Sequence, residues 1–257
     1  MKKGSFTGLL YREYYLGKHS CFAGLLLFAG FAAVCWLALL SLRYGNLSLI
    51  LSSAGKYEQE ISEAVRFSID LTVRFAPAVG AACLSFAPAD IAGRDILTSW
   101  RRFEHCTPVT PLKYAAVKLT ATVLAAAASF LLTFLHIAGI GAATGSPVSY
   151  TDFSLIVLIV GFMTTFSVLA QFFILLLGSL DYGMLTALLT VSVPVLIISF
   201  LNRDTDTFSD KAISVEERRS RIAEFINGLC PVMLAVTAGV LVLLFVSMYL
   251  LYKRREK

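Results

Sequence analysis

Residues 153–177 read FSLIVLIVGFMTTFSVLAQFFILLL, an unbroken run without one charged side chain. A helix needs about 20 such residues to cross the roughly 30 Å hydrocarbon core of a bilayer. Directly afterwards, Gly178-Ser-Leu-Asp-Tyr182 separates it from a second apolar run over 183–201. A connection that brief forces two antiparallel neighbours, so the pair predicts a transmembrane helical hairpin. Working outward, further runs of suitable length cover about 21–42, 75–91, 119–141 and 229–252. The expectation is an all-α polytopic membrane protein, a single transmembrane domain over 1–257 with six transmembrane helices.

Composition points the same way. Hydrophobic residues make up 57% of the chain and charged ones only 15%, against about 25% charged in a soluble domain. The net charge of +5 would suggest nucleic acid in a soluble protein. Here the Lys and Arg lie between apolar blocks, where they set orientation in a membrane, and no nucleic-acid partner is expected. The run opening at Cys21 is too long for a signal peptide and lacks an A-x-A site, so it reads as a retained span.

The polar segments carry their own patterns. In residues 1–20, Phe6, Leu9, Leu10 and Tyr14 recur at helical spacing with Lys2, Lys3, Arg12 and Lys18 around the other side, which places a helix over 5–18. That is the signature of an interfacial helix lying among headgroups, with Ser5 as its cap. Residues 43–74 are polar, and the charged middle over 56–66 shows no periodicity. Asp70 and Arg74, spaced i,i+4, are expected at the membrane surface. The second span contains Pro77 and Pro88, which membranes tolerate when neighbouring helices satisfy the freed carbonyls. Residues 202–228 are charged; Ser214-Val-Glu-Glu217 is a capping-box pattern, and Ile222, Phe225, Ile226 and Leu229 form one stripe. This predicts a loop with an amphipathic helix leading into the last span.

With six spans both termini share a side. That side carries 13 Lys and Arg, against 9 on the other, so both termini are expected in the cytoplasm and 202–228 outside. No catalytic or metal-binding set emerges. A P-loop needs G-x-x-x-x-G-K-[ST] so that backbone amides cradle the phosphates. Gly17-Lys18 fails it, with Arg12 where the first glycine belongs and His19 in place of Ser or Thr. Asp181 stands alone at a turn, so no aspartate pair for intramembrane proteolysis is expected. The five cysteines form no close pair and read as small buried hydrophobes. His136, near a helix end, reads as bonded to a backbone carbonyl or water rather than as a proton relay.

The informative connection is residues 94–111, within Asp95-Ile-Leu-Thr-Ser-Trp100-Arg-Arg-Phe-Glu104-His-Cys-Thr-Pro108-Val-Thr-Pro-Leu-Lys-Tyr114-Ala-Ala-Val-Lys118. Trp100, Phe103 and Cys106-Thr107 fall along one side of a short helix stopped by Pro108, leaving Arg101, Arg102 and Glu104 for water, headgroups or a partner. This stretch resembles the cytoplasmic loop of the type-two ABC exporter permease family. There an acidic residue follows the second span, then a W-x-x-[FY]-E-like segment, a Thr/Ser-Leu-Pro-Val-Ser-like turn and a Lys opening the third span. Trp100, Phe103, Glu104, Thr107, Pro108, Val109, Thr110, Tyr114 and Lys118 fall on that pattern; Cys106-Thr107-Pro108 departs from it in lacking the usual Leu before Pro. The opening Gly8-Leu-Leu-Tyr-Arg-Glu-Tyr-Tyr-Leu16 is similar to the family's interfacial helix with its [KR]-[DE] pair.

The resemblance implies the permease subunit of an ABC exporter in the cell membrane, with no ATPase of its own. ATP and Mg would sit on separate soluble P-loop ATPase subunits. A second copy or a sister permease would complete the pathway. It implies a cytoplasmic coupling helix in which Trp100, Arg101, Phe103, Glu104, Thr107 and Pro108 bind the ATPase, aided by Leu9, Leu10, Tyr11, Arg12 and Glu13. Two other classes use the same helices: a non-transporting accessory or immunity protein, and a transporter driven by an ion gradient. The latter would need charges or broken helices at mid-membrane, and the sequence places none well inside a span.

Overall fold

The computed structural model describes residues 5–44, 56–98, 109–201 and 215–255. These form six α-helices and no strand: α1 (Phe6–Tyr44), α2 (Lys56–Leu97), α3 (Pro111–Thr144), α4 (Tyr150–Leu177), α5 (Leu180–Leu201) and α6 (Val215–Arg255). Five stretches are long and apolar enough to cross a membrane: Phe6–Ser41, Leu71–Leu97, Pro111–Thr144, Tyr150–Leu177 and Ser220–Lys253. In α5 the corresponding apolar stretch among the described side chains is the shorter Leu180–Ser192.

The helices run longer than the apolar blocks. Ser5 caps α1, its Oγ accepting the Gly8 N–H at 3.1 Å, as the sequence led one to expect. The helix then continues without a break into the first span, so residues 6–18 are its first turns and not a separate element. A break was available at Gly17. The chain uses that glycine for close approach instead, since a Cβ there would meet Ile91 at 2.9 Å. Helix α2 starts at Lys56, inside the stretch without periodicity. Lys56, Glu58, Gln59, Glu60, Glu63 and Ala64 are good helix formers, and intrinsic propensity needs no apolar stripe. The last helix likewise runs from Val215 to Arg255, through Pro231, as one piece.

Local signals set the remaining ends. Thr110 is extended, and Pro111 follows in the first turn of α3, where its missing N–H costs nothing. Gly145 and Gly178 close α3 and α4 in the left-handed conformation, the usual glycine C-cap. Ser149 and Asp152 form a reciprocal capping box at the start of α4. Gly178 and Ser179 alone separate α4 from α5.

Cross-helix contacts fix the topology. Lys118 of α3 bonds Glu13 of α1 and Asp95 of α2. Tyr114 of α3 stacks on Tyr252 of α6 with ring centroids 5.0 Å apart. Gly93 of α2 abuts Leu180 of α5. One end of the bundle, the proximal end, therefore holds the start of α1, the end of α2, the start of α3, the α4–α5 turn and the end of α6. At the distal end Asn227 of α6 donates to Thr151 of α4 at 3.4 Å, and Arg74 of α2 meets Asp152. A core of Ala89, Ala92, Val168, Ile174, Leu244 and Met248 fills the proximal half, while Ile137, Ile156 and Val160 pack in the distal half.

Two helix pairs cross at glycine. A Cβ on Gly80 would lie 2.4 Å from the Phe28 backbone nitrogen, and one on Gly183 would lie 2.6 Å from the Ile174 Cα. Because the obstacle is backbone, a side chain cannot swing away, and the helices must separate. Overpacking of this kind costs about 1–3 kcal/mol. Gly80→Ala is expected to lower the thermal unfolding midpoint in detergent. Gly30→Ala, with open space around the new Cβ, should leave it unchanged or raise it; equal melting of the two variants would refute the crossing constraint.

Candidate functional site

At the proximal end four charges from three helices meet. The Lys118 ammonium donates to Glu13 Oε2 at 2.8 Å and to Asp95 Oδ2 at 2.9 Å. Arg12 donates to Glu13 Oε1 at 3.1 Å and also to Asp95 Oδ1. Two cations and two carboxylates thus form a neutral tetrad, with Lys118 only 2% exposed. Burying one of these charges without a counter-charge would cost several kcal/mol, so each side chain depends on the other three. One turn away, Asp90 accepts from Arg94 at 2.9 Å and from the Ser20 hydroxyl.

The distal end has a smaller polar layer. Arg74 donates to Asp152 Oδ2 at 3.3 Å, tying α2 to the capping box of α4. Beside it His136 Nε2 lies 3.0 Å from the Val73 carbonyl. That carbonyl sits four residues before Pro77, which has no N–H to give it. The histidine of α3 supplies the missing donor to α2, an arrangement that requires the Nε2–H tautomer. His136 is thereby a structural partner of a proline.

The two layers lie one bilayer apart. Arg74 and Asp95 are 21 residues apart on α2, about 32 Å at 1.5 Å per residue, against about 30 Å of hydrocarbon. Between the layers, residues 21–34, 75–89, 119–135 and 153–177 contain no Asp, Glu, Lys, Arg or His. The polar groups there are hydroxyls and one amide. Ser85 donates to the Ser129 hydroxyl at 2.9 Å, which reaches the Ala81 carbonyl at 2.6 Å, and Gln171 donates to Thr122 at 3.2 Å.

The expected site residues divide into two groups. Arg12 and Glu13 enter the proximal tetrad, Leu10 and Tyr11 line a groove beside it, and Leu9 is half-buried. Trp100, Arg101, Phe103, Glu104, Thr107 and Pro108 lie outside the described residues. The segment that carries them follows the end of α2 at Leu97, two residues after Asp95, and precedes α3, which opens at Pro111, two turns before Lys118. The sequence marks Asp95 and Lys118 as the ends of the motif, but no spacing rule joins them to Glu13. Asp152 was missed, although Ser149-x-x-Asp152 ahead of an apolar run carries a capping signature; its pairing with Arg74 obeys no local rule. Among the described residues no cluster of three or more His, Cys, Asp or Glu could hold a metal ion. Set against protein-family models, curated proteins and solved structures, the chain matches none of them.

Two tests follow from these layers. Lys118→Met strands two buried carboxylates on Arg12 and is expected to cost about 3–5 kcal/mol. Arg221→Met removes only the exposed i,i+4 pair with Glu217, worth less than about 1 kcal/mol. Thermal unfolding in detergent ranks them, and a Lys118→Met protein as stable as Arg221→Met would contradict the tetrad. For the distal layer, His136→Leu leaves the Val73 carbonyl unpaired, at about 1–3 kcal/mol. In a Pro77→Ala background the backbone supplies the donor, so the loss should shrink to a fraction of that. A loss that is the same in both backgrounds would separate the histidine from the proline.

Proposed function

We propose that this chain is the permease subunit of an ABC exporter in the cell membrane. It forms the translocation pathway with a second copy or a sister permease and is driven by separate P-loop ATPase subunits that hold ATP and Mg. Both termini and the proximal end face the cytoplasm, six helices cross the membrane, and residues 99–108 dock on the ATPase through Trp100, Arg101, Phe103, Glu104, Thr107 and Pro108.

The observation that carries this reading is that the helices flanking that segment are both tied into the tetrad. Asp95 precedes it, Lys118 follows it, and both are bonded to Glu13 of α1. A push on residues 99–108 is therefore delivered to the ends of three helices as a unit, not absorbed by one hinge. Rigid-body displacement of packed helices is a recognised way to convert such a push into an opened path. The uncharged stretch between the layers favours this over an ion-gradient mechanism, which relies on charged groups within the membrane.

The test is purification of the tagged chain from its native membrane in mild detergent, beside the double variant Trp100→Ala, Glu104→Arg. A P-loop ATPase subunit should accompany the original chain and be lost from the variant. Absence of any nucleotide-binding protein under gentle conditions would sink the permease reading in favour of a non-transporting accessory or immunity protein.

A further inference from the structure

Beside the tetrad, α1, α2 and α3 border an open groove of about 480 Å³, within the range of about 300–1,000 Å³ usual for small-molecule sites. Its walls include Glu13, Gly17 and Cys21 of α1 and Ala121, Ala125 and Ala128 of α3. The small side chains at Gly17, Cys21, Ala121, Ala125 and Ala128 recess a surface that is covered elsewhere by Leu, Val and Phe, as on the outer face of α6.

The recess is graded in polarity and matched in depth to one leaflet. Its α3 wall rises from Ala121 to Ala128, about 10 Å along the axis, and its α1 wall from Thr7 to Cys21, about 21 Å. Half of the hydrocarbon core is about 15 Å. Polar atoms occur at one end only, where Thr7, Tyr11, Glu13 and Tyr14 stand. Glu13, the one charged residue of the wall, is neutralised by Lys118 and Arg12, so the lining presents no net charge to a hydrocarbon chain.

Charge at the proximal rim selects the headgroup. Around the groove, the described proximal segments of α1, α2 and α3 carry Arg12, Lys18, Arg94, Lys113 and Lys118 against Glu13, Asp90 and Asp95, a surplus of two cations. The tetrad and the Asp90–Arg94 pair balance six of these eight charges, which leaves Lys18 and Lys113 as the surplus. The Lys18 ammonium lies 4.0 Å over the Tyr15 ring, folded back toward the proximal end as a long basic side chain does at a membrane surface.

We infer that this groove binds one anionic phospholipid of the proximal leaflet, with an acyl chain between α1 and α3 and its phosphate attracted by Lys18 and Lys113. The inference needs only that the chain spans a bilayer; it stands or falls apart from the transport reading.

The experiment uses the full chain in phosphatidylcholine nanodiscs doped with either phosphatidylglycerol or phosphatidylcholine carrying a photoreactive group at the end of one acyl chain. Labelled peptides are then mapped by mass spectrometry. The phosphatidylglycerol probe should label residues 17–21 and 121–128 in preference to the outer face of α6. Each surface lysine is worth about a fivefold preference for anionic lipid, so Lys18→Gln with Lys113→Gln should abolish the advantage over phosphatidylcholine. These two substitutions leave every described ion pair intact, so they test the site without threatening the fold. Ala121→Leu with Ala128→Leu should fill the groove and remove its labelling while that of α6 persists. Even labelling of all exposed faces, or no headgroup preference in the original chain, overturns the proposal. So does efficient Cys21–Cys21 crosslinking between copies in the same nanodiscs, which would put a second protomer in the groove.

Discussion

The ammonium of Lys118, held between the carboxylates of Glu13 and Asp95, is the interaction on which the proximal half of the molecule depends. An amine this deeply enclosed is tolerable only with counter-charge in contact, and the counter-charge comes from two other helices. The requirement fixes the axial register of α1, α2 and α3 together: sliding any of them by one turn would strand a charge. Arg12 closes the set to neutrality, so the field outside it is small although the energy within it is large. Close backbone crossings at Gly80 and Gly183 fix how near the helices lie. Packing then sets lateral spacing and electrostatics sets height.

At the distal end the solution is different in kind. Arg74 reaches a carboxylate already committed to capping α4, and His136 repairs a carbonyl that Pro77 leaves without a donor. Neither demands neutrality among several partners. This asymmetry suits a molecule whose proximal end is held stiff. In the proposed function that stiffness is where force enters, through the segment between Asp95 and Lys118.

Much of this fold was legible in the sequence because a bilayer imposes length on apolar runs. The run over 153–177 and the brief Gly178–Tyr182 connection foretold α4, α5 and their close packing. Pro77 foretold that a neighbour must supply a donor, and His136 was read as bonded to a carbonyl or to water; their meeting was hidden. Helix ends were less legible, for two reasons. Residues 56–66 become helical through propensity, which leaves no apolar stripe to read. Residues 6–18 merge into α1 because nothing in them stops a helix. The tetrad was half visible: Asp95 and Lys118 framed the motif and Glu13 stood in the other, but a contact between residues 105 apart obeys no local rule. The residues expected to bind a partner, Trp100 to Pro108, lie outside the described residues, and neither apolar periodicity nor capping speaks to docking.

The same long-range contact bears on how the protein is made. A chain entering a membrane from its first residue delivers α1 and α2 well before α3. Until residue 118 arrives, Glu13 and Asp95 have, among the described residues, only Arg12 to share, and two carboxylates with one cation are poorly suited to burial. The first two helices must therefore keep their proximal ends wetted, at the headgroups or at the edge of the insertion machinery, until the third brings its lysine. Synthesis of α3 is then the event that seals the bundle, and the order of emergence along the polypeptide doubles as an order of assembly.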